Sequence, residues 1–241
     1  MARSVRKRHV QQELFRHGGK RKGAGGKPKG SRAGAAHKKR PRIAASHGLH
    51  VVLRVTSEVG NLRRREMYQA FRGASICAAV RERMRIVHIS IQRTHVHMIV
   101  EADNKKQLAR GMQGFQISAA RRVNTALGDG VRRRRGAVFV DRYHLVVFDS
   151  PTQARHTVSY VLNNWRKHAE DRDGAARGAL VDRFSSGCSF AGWKELENRP
   201  MWQIPADHEP LVVSEPRAWV LTTGWRLVGP ISAREVPSQR L

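Results

Sequence analysis

Residues 85–101 read RIVHISIQRTHVHMIVE, and the fold turns on how this stretch is read. Two apolar runs, Arg85–Gln92 and His95–Glu101, are separated only by Arg93-Thr94. So short a connection between β-rich runs predicts an antiparallel hairpin. Side chains on a strand alternate between its two faces, so Val96, Met98 and Val100 turn towards a core while His95 and His97 share the opposite face. Two imidazoles one pleat apart can converge on a single metal ion. The same spacing also occurs as plain polar decoration of a strand, so the motif needs a partner elsewhere in the chain.

Working outward, Leu49–Val55 is β-rich and reads as a strand. From Asn61 to about Val80 the apolar positions Leu62, Met67, Tyr68, Phe71, Ile76 and Ala79 approach a 3.6-residue period, which predicts a helix. After the hairpin, Asp103 or Asn104 is placed to cap a second helix running to about Leu127. Its expected buried stripe is Leu108, Met112, Phe115, Ile117, Ala120 and Val123, and Gly128-Asp129-Gly130 ends it. A basic run, Arg132–Arg135, precedes a strand stretch over Ala137–Phe148. Ser150-Pro151 then opens a last helix, as N-cap and first-turn proline, that extends to about His168. The order is strand, helix, strand, strand, helix, strand, helix. Its first six elements match an α+β, ferredoxin-like split βαβ arrangement with an antiparallel sheet.

The charge is extreme. Lys and Arg number 46 against 19 acids in 241 residues, a net +27 with a pI near 11.6. This is far beyond what solubility requires and implies a polyanionic partner, nucleic acid first. Residues 1–42 hold fifteen Lys/Arg and the single acid Glu13, so about half the net charge lies in the first sixth of the chain. The segment His17–Arg32, HGGKRKGAGGKPKGSR, buries nothing and is expected to be disordered on its own. It reads either as an arm that tracks phosphates or as a solubilising tail. No stretch approaches the length of a membrane span, and a signal-peptide segment is lacking. The two cysteines, Cys77 and Cys188, form no metal or redox pattern and fit a reducing, cytoplasmic setting. The expected organisation is a basic tail over 1–45, one domain over 46–170, and an irregular extension over 171–241. That extension holds six of the nine prolines and four of the five tryptophans. Within it Trp219-Val220-Leu221 reads as one further strand.

The partner to the histidine pair lies on the last helix, ARHTVSYVLNNWRKH, where Tyr160 and Asn164 are four apart and share a face. A tyrosine attacks a phosphodiester if its hydroxyl is deprotonated or metal-assisted and a cation neutralises the phosphate. Two imidazoles and an amide oxygen form a three-ligand set that leaves positions open, suited to Mg²⁺ or Mn²⁺ and able to take Zn²⁺. The same residues also read as a core tyrosine and a surface asparagine.

HVHMIVEADNKKQLARGMQGFQISAARRVN, followed by VFVDRYHLVVFDSPTQARHTVSYVLNNWRKH, resembles the Y1 transposase family. These are the IS200-like and REP-associated tyrosine transposases of the HUH single-strand nuclease superfamily. The resemblance spans about residues 47–170 and rests on an ordered set of motifs: His-hydrophobic-His on a strand, an Arg-Tyr element, then a tyrosine with an asparagine four later. The basic tail and the terminal WVLTTGWRLVGPI look like flanks of bacterial members, which implies a nucleoid-associated bacterial protein. The resemblance further implies that His95 and His97 bind a divalent metal, that Tyr160 is the nucleophile, and that Asn164 completes the site. The implied reaction leaves a 5′-phosphotyrosine and a free 3′-hydroxyl on single-stranded or hairpin DNA, with no small-molecule cofactor. Relatives include dimers with exchanged tyrosine helices, so a homodimer is one expectation. Many relatives carry Asn-Pro where this chain has Asn164-Trp165, which predicts a longer helix here.

Tyr143, in Asp141-Arg142-Tyr143-His144, is the rival nucleophile. Arg142 and His144 are candidate DNA contacts, as are Gln113, Gln116, Arg121 and Arg122 on the middle helix. The run Arg132, Arg133, Arg134 and Arg135 is the denser basic loop. Two other readings remain open on sequence grounds: a non-catalytic DNA-binding protein of the same fold, and a basic RNA-binding protein. The latter leaves the coincidence of His-x-His with Tyr-x-x-x-Asn without a purpose.

Overall fold

The computed structural model describes residues 41–81, 84–172, 176, 178–196 and 206–237. The basic tail expected over 1–45 therefore lies almost wholly outside the described residues. Four strands, β1 (Gly48–Arg54), β2 (Arg85–Ile91), β3 (His95–Glu101) and β4 (His144–Phe148), form one sheet in the order β2-β3-β1-β4. All three pairings are antiparallel. Three principal helices, α1 (Arg65–Val80), α2 (Lys105–Ala126) and α3 (Pro151–Lys167), complete the α+β arrangement expected from the order of elements. No described helix is long and apolar enough to cross a membrane.

Alternation along the strands builds two separate apolar layers. Leu49, Val51, Leu53, Val96, Met98 and Val100 face one side and pack with Met67, Phe71, Leu108, Met112 and Phe115 of α1 and α2. Ile99 and Phe148 face the other side and pack with Ala154, Val158, Val161 and Leu162 of α3. The histidines of β3 thus lie on the α3 side of the sheet. At Ile86/His88 the pairing of β2 with β3 shifts register, the behaviour of a bulge, which re-aims the residues beyond it.

Local chemistry sets the helix ends. Asn104, not Asp103, caps α2, its side-chain oxygen accepting the backbone N–H groups of Lys106 and Gln107. Ser150 caps α3 by accepting from Gln153, with Pro151 behind it. The first helix starts at Arg65, four residues later than Asn61, because the Asn61 side chain accepts the Arg63 N–H and holds a turn there.

Three expectations are corrected. Ile117 is 47 % exposed, and Ala119 takes its place in the buried stripe of α2. Only His144–Phe148 of the predicted strand 137–148 is continuous ladder. Upstream, Phe139 meets Val55 in a single bridge, and the register has changed by two residues between the segments. Trp219–Thr222 forms a helical turn (α4), not a strand. The cause is Glu101, wholly buried, whose carboxylate accepts the N–H groups of Arg217 and Ala218 at the start of that turn while pairing with Arg85 at 2.9 Å. A carboxylate at that end favours the helical conformation.

The C-terminal segments wrap the sheet edge and α3. Along β2, Ile91 N–H donates to Phe184 O, Ile89 N–H to Ser186 Oγ, and Ser214 N–H to Ile86 O, covering an edge that would otherwise be free. On α3, Arg155 donates to Glu235 and to Pro230 O, Asn163 to Ser232 O, and Arg166 to Ala233 O. Trp193, Trp225 and Ile231 pack into the same apolar layer as α3.

Candidate active site

The register of the sheet decides which side chains meet. Val52 of β1 lies opposite both His97 of β3 and His144 of β4, and Ser90 of β2 lies opposite His97. Directly paired residues share a face. His50, His95, His97, His144 and Ser90 therefore form one polar field on the side that α3 covers.

The rings of this field are in close contact with α3. Tyr160 lies edge-on to His97, ring centroids 5.3 Å apart and planes at 90°, and 5.8 Å from His50. The rings of His95 and His97 are 4.7 Å apart. His168, the C-cap of α3, approaches His95 at 5.6 Å, and the ammonium of Lys167 sits 4.9 Å over the Tyr160 ring. The helix continues past Asn164-Trp165 to Lys167, which brings Lys167 and His168 into this field.

Burial sets the charge states. It lowers the imidazole of His50 from 6.5 to about 4, with His144 adding to the effect. The imidazole of His95 also falls to about 4, through burial first and then His168 and Arg54. His97 is held well below 6.5 by burial and by its histidine neighbours. At neutral pH these rings are uncharged and offer lone pairs, the form in which imidazole binds a metal. Burial pushes the Tyr160 phenol above its usual 10, so ionising it requires nearby positive charge.

Among the described residues several buried polar atoms of these strands and of α3 have no hydrogen-bond partner. Nε2 of His97 and both amide atoms of Asn164 are the main ones, with Gln92 Oε1 beside Ser90. Asn164 is fully buried, contrary to a surface reading of it. Buried polar groups are normally paired, and exceptions mark sites where an ion or ligand supplies the contact. A neutral imidazole nitrogen and an amide oxygen, both unpartnered, are the donors a hard or borderline divalent cation takes. The residues present therefore fit the implied Mg²⁺ or Mn²⁺. Among the described residues no three His, Cys, Asp or Glu side chains are grouped to hold a metal.

The other candidates fall in different places. His144 is exposed on β4, on the face of the histidine field. Tyr143 precedes β4 and packs against the opposite layer, with α1 and α2, away from His95 and His97. Arg142 lies in the turn before it, its N–H donating to Asp141 Oδ1. Gln113, Gln116, Arg121 and Arg122 are on α2, across the sheet from the histidines, and Arg122 reaches Cys77 Sγ at 3.7 Å. Arg132, Arg133 and Arg135 are exposed in the loop after α2. Arg134 instead braces that loop by donating to Asn124 Oδ1 and Ala137 O. The sequence reading missed His50, Gln92 and His168. His50 was detectable only through the β1–β3 register, because on its own it is one polar residue in an apolar run.

The model of the family described as "Transposase IS200 like" matches residues 44–164. Among solved structures, that of a REP-associated tyrosine transposase bound to a REP hairpin is similar at 16 % identity, covering 56 % of this chain and 74 % of that one, with a TM-score of 0.45. A protein from Deinococcus radiodurans R1 described as a candidate transposase is similar at 12 % identity, covering 59 % of this chain and 99 % of that one, with a TM-score of 0.36. No curated protein matches the chain.

Proposed function

This chain belongs to the IS200-like transposase family, and on that premise we propose that it cuts and rejoins single-stranded, hairpin-flanked DNA through a covalent bond to Tyr160. The observation that carries the reading is the edge-on contact of the Tyr160 ring with His97, one helical turn before Asn164, whose buried amide has no partner among the described residues. Sheet-borne nitrogens and a helix-borne phenol meet within one chain, which supports action in cis without requiring a second copy.

In this reading His95, His97 and Asn164 would hold Mg²⁺ or Mn²⁺, which would supply positive charge to neutralise the scissile phosphate. Tyr160 oxygen attacks phosphorus and gives up its proton. The bond from phosphorus to the 3′ oxygen breaks, and that oxygen takes up a proton, so none is gained or lost overall. The product is a 5′-phosphotyrosine with a free 3′-hydroxyl. The phosphodiester energy is kept in the new bond, and reversal on another 3′ end completes strand transfer. Lys167, over the ring, supports the charge that develops on the phenol.

The basic surface supplies affinity. Arg132, Arg133 and Arg135, with His144 and Arg142 near β4, are the proposed contacts to the DNA backbone, which position a strand without reading its sequence.

The test is incubation of the full chain with Mn²⁺ and labelled single-stranded DNA from the gene's own flanks, followed by denaturing electrophoresis. A slow, denaturation-resistant band is expected for the wild type and for Tyr143→Phe, and none for Tyr160→Phe. An adduct that persists in Tyr160→Phe removes the assignment. Tight hairpin binding with no adduct under any metal favours the non-catalytic DNA-binding reading.

A further inference from the structure

Resting on the reading of His97 as a metal ligand, we infer that His50 is a positioning residue that fixes the orientation and tautomer of His97. Nε2 of His50 lies 3.0 Å from Nδ1 of His97, both rings buried. The two ring planes differ by 17° and the centroids are 5.2 Å apart. The centroids are farther apart than the nitrogens by about one ring's width, the geometry of an edge-to-edge hydrogen bond in the ring planes and not of a face-to-face stack.

One of these two nitrogens donates and the other accepts. With Nδ1–H of His97 donating to His50, the lone pair of His97 sits on Nε2, the buried atom that has no partner among the described residues. In a neutral imidazole only one nitrogen carries a proton, so a bond that holds it on Nδ1 leaves Nε2 as the only nitrogen able to ligate. The reverse assignment would bury an unpartnered Nε2–H and block ligation.

His50 is held in place for this role. It sits on β1 opposite Ile99, diagonal to His97 on the neighbouring strand, and the alternate residues Leu49 and Val51 anchor its strand in the other apolar layer. His50 is not itself a fourth ligand through Nε2, because that nitrogen faces His97. His95 has a weaker counterpart: its Nδ1 lies 3.3 Å from the Thr94 hydroxyl, in an exposed contact.

The experiment uses the full chain without DNA. Nitrogen-15 NMR of the histidine rings in metal-free protein is expected to place the His97 proton on Nδ1. Calorimetric titration with Mn²⁺ is expected to show affinity reduced roughly 10- to 100-fold in His50→Ala. His50→Gln, whose amide oxygen can accept the same N–H, is expected to recover most of that loss. Circular dichroism melts identify any variant that fails to fold, and the wild-type NMR result stands independently of them. A His97 proton on Nε2 in the wild type overturns the inference. So does a folded His50→Ala that binds Mn²⁺ as tightly as wild type while His97→Ala does not. If His97→Ala also binds normally, the metal-ligand reading itself fails, and the inference with it.

Discussion

Asn164 lies one helical turn beyond Tyr160 on α3, fully buried, with neither its amide oxygen nor its amide nitrogen paired among the described residues. An amide left unsatisfied in an apolar layer costs the fold about 1–3 kcal/mol. On the proposed reading, stability has been exchanged for function at this position.

Asn164→Leu is therefore expected to stabilise the metal-free protein by about 1–2 kcal/mol, because it removes the unpaired amide and keeps the volume. The same variant is expected to lose about 100-fold or more in adduct formation. Urea unfolding of the metal-free chain and the denaturing-gel assay check the two halves separately. A variant that is less stable and equally active would assign Asn164 a purely structural part.

The fold was legible because its decisive signals are local. Residues 85–101 carry their own alternation and their own turn, Ser150-Pro151 and Asn104 announce their helices, and the order of elements limits the sheet to a few topologies. The candidate site was legible in part, since His95 and His97 are neighbours on one strand and Tyr160 and Asn164 on one helix face. His50 was not, because its meeting with His97 depends on strand register, a long-range quantity that no local period encodes. Trp219–Thr222 was misread for a related reason: a carboxylate more than a hundred residues away, Glu101, decides its conformation. Ile117 has the right spacing for the buried stripe of α2, but Ala119 takes that place.

The C-terminal segment holds the tyrosine helix against the sheet. Deleting residues 229–241 removes the partners of Arg155 and Asn163, one acceptor of Arg166 (Ala233 O), and the buried Ile231. Loss of buried polar partners at about 1–3 kcal/mol each implies at least roughly tenfold faster amide exchange along α3. The β2–β3 hairpin, paired within itself, is expected to change far less. Exchange measured by mass spectrometry checks this, and uniform loosening of the whole chain would show that the segment has no special hold on α3.

Arginines in one loop are expected to behave differently. Arg132, Arg133 and Arg135 are exposed, whereas Arg134 is spent on Asn124 and Ala137. Each phosphate neutralised on a single strand contributes about 0.7 to the slope of log affinity against log salt. Replacing the three exposed arginines with Gln is expected to reduce that slope by about 2, read by fluorescence anisotropy with a labelled oligonucleotide over a salt series. Arg134→Gln is expected to lower the melting temperature with a smaller change in slope. An unchanged slope in the triple variant would place the DNA path elsewhere.

Acid sensitivity should come first from histidine. His88 is buried on β2, with Phe190 edge-on at 5.2 Å and the Ser186 hydroxyl 3.5 Å from Nδ1, and burial lowers it from 6.5 to about 4. Between those values the unfolded chain binds a proton that the folded chain refuses, so stability falls as pH drops from about 6.5 towards 4 and is insensitive to this group above that window. The slope is up to about 1.4 kcal/mol per pH unit for one such group. His50 contributes with the same sign over the same window. Carboxylates such as Glu195 and Glu235, held below 4.5, contribute their loss only at lower pH, so the histidine window lies above theirs. Urea midpoints of the metal-free protein measured from pH 7.5 to 4.5 are expected to decline steadily, and His88→Gln is expected to flatten the decline by about one proton's worth. An equal slope in that variant would mean that His88 accepts its proton without unfolding, and that the Phe190 side of β2 opens locally to admit water.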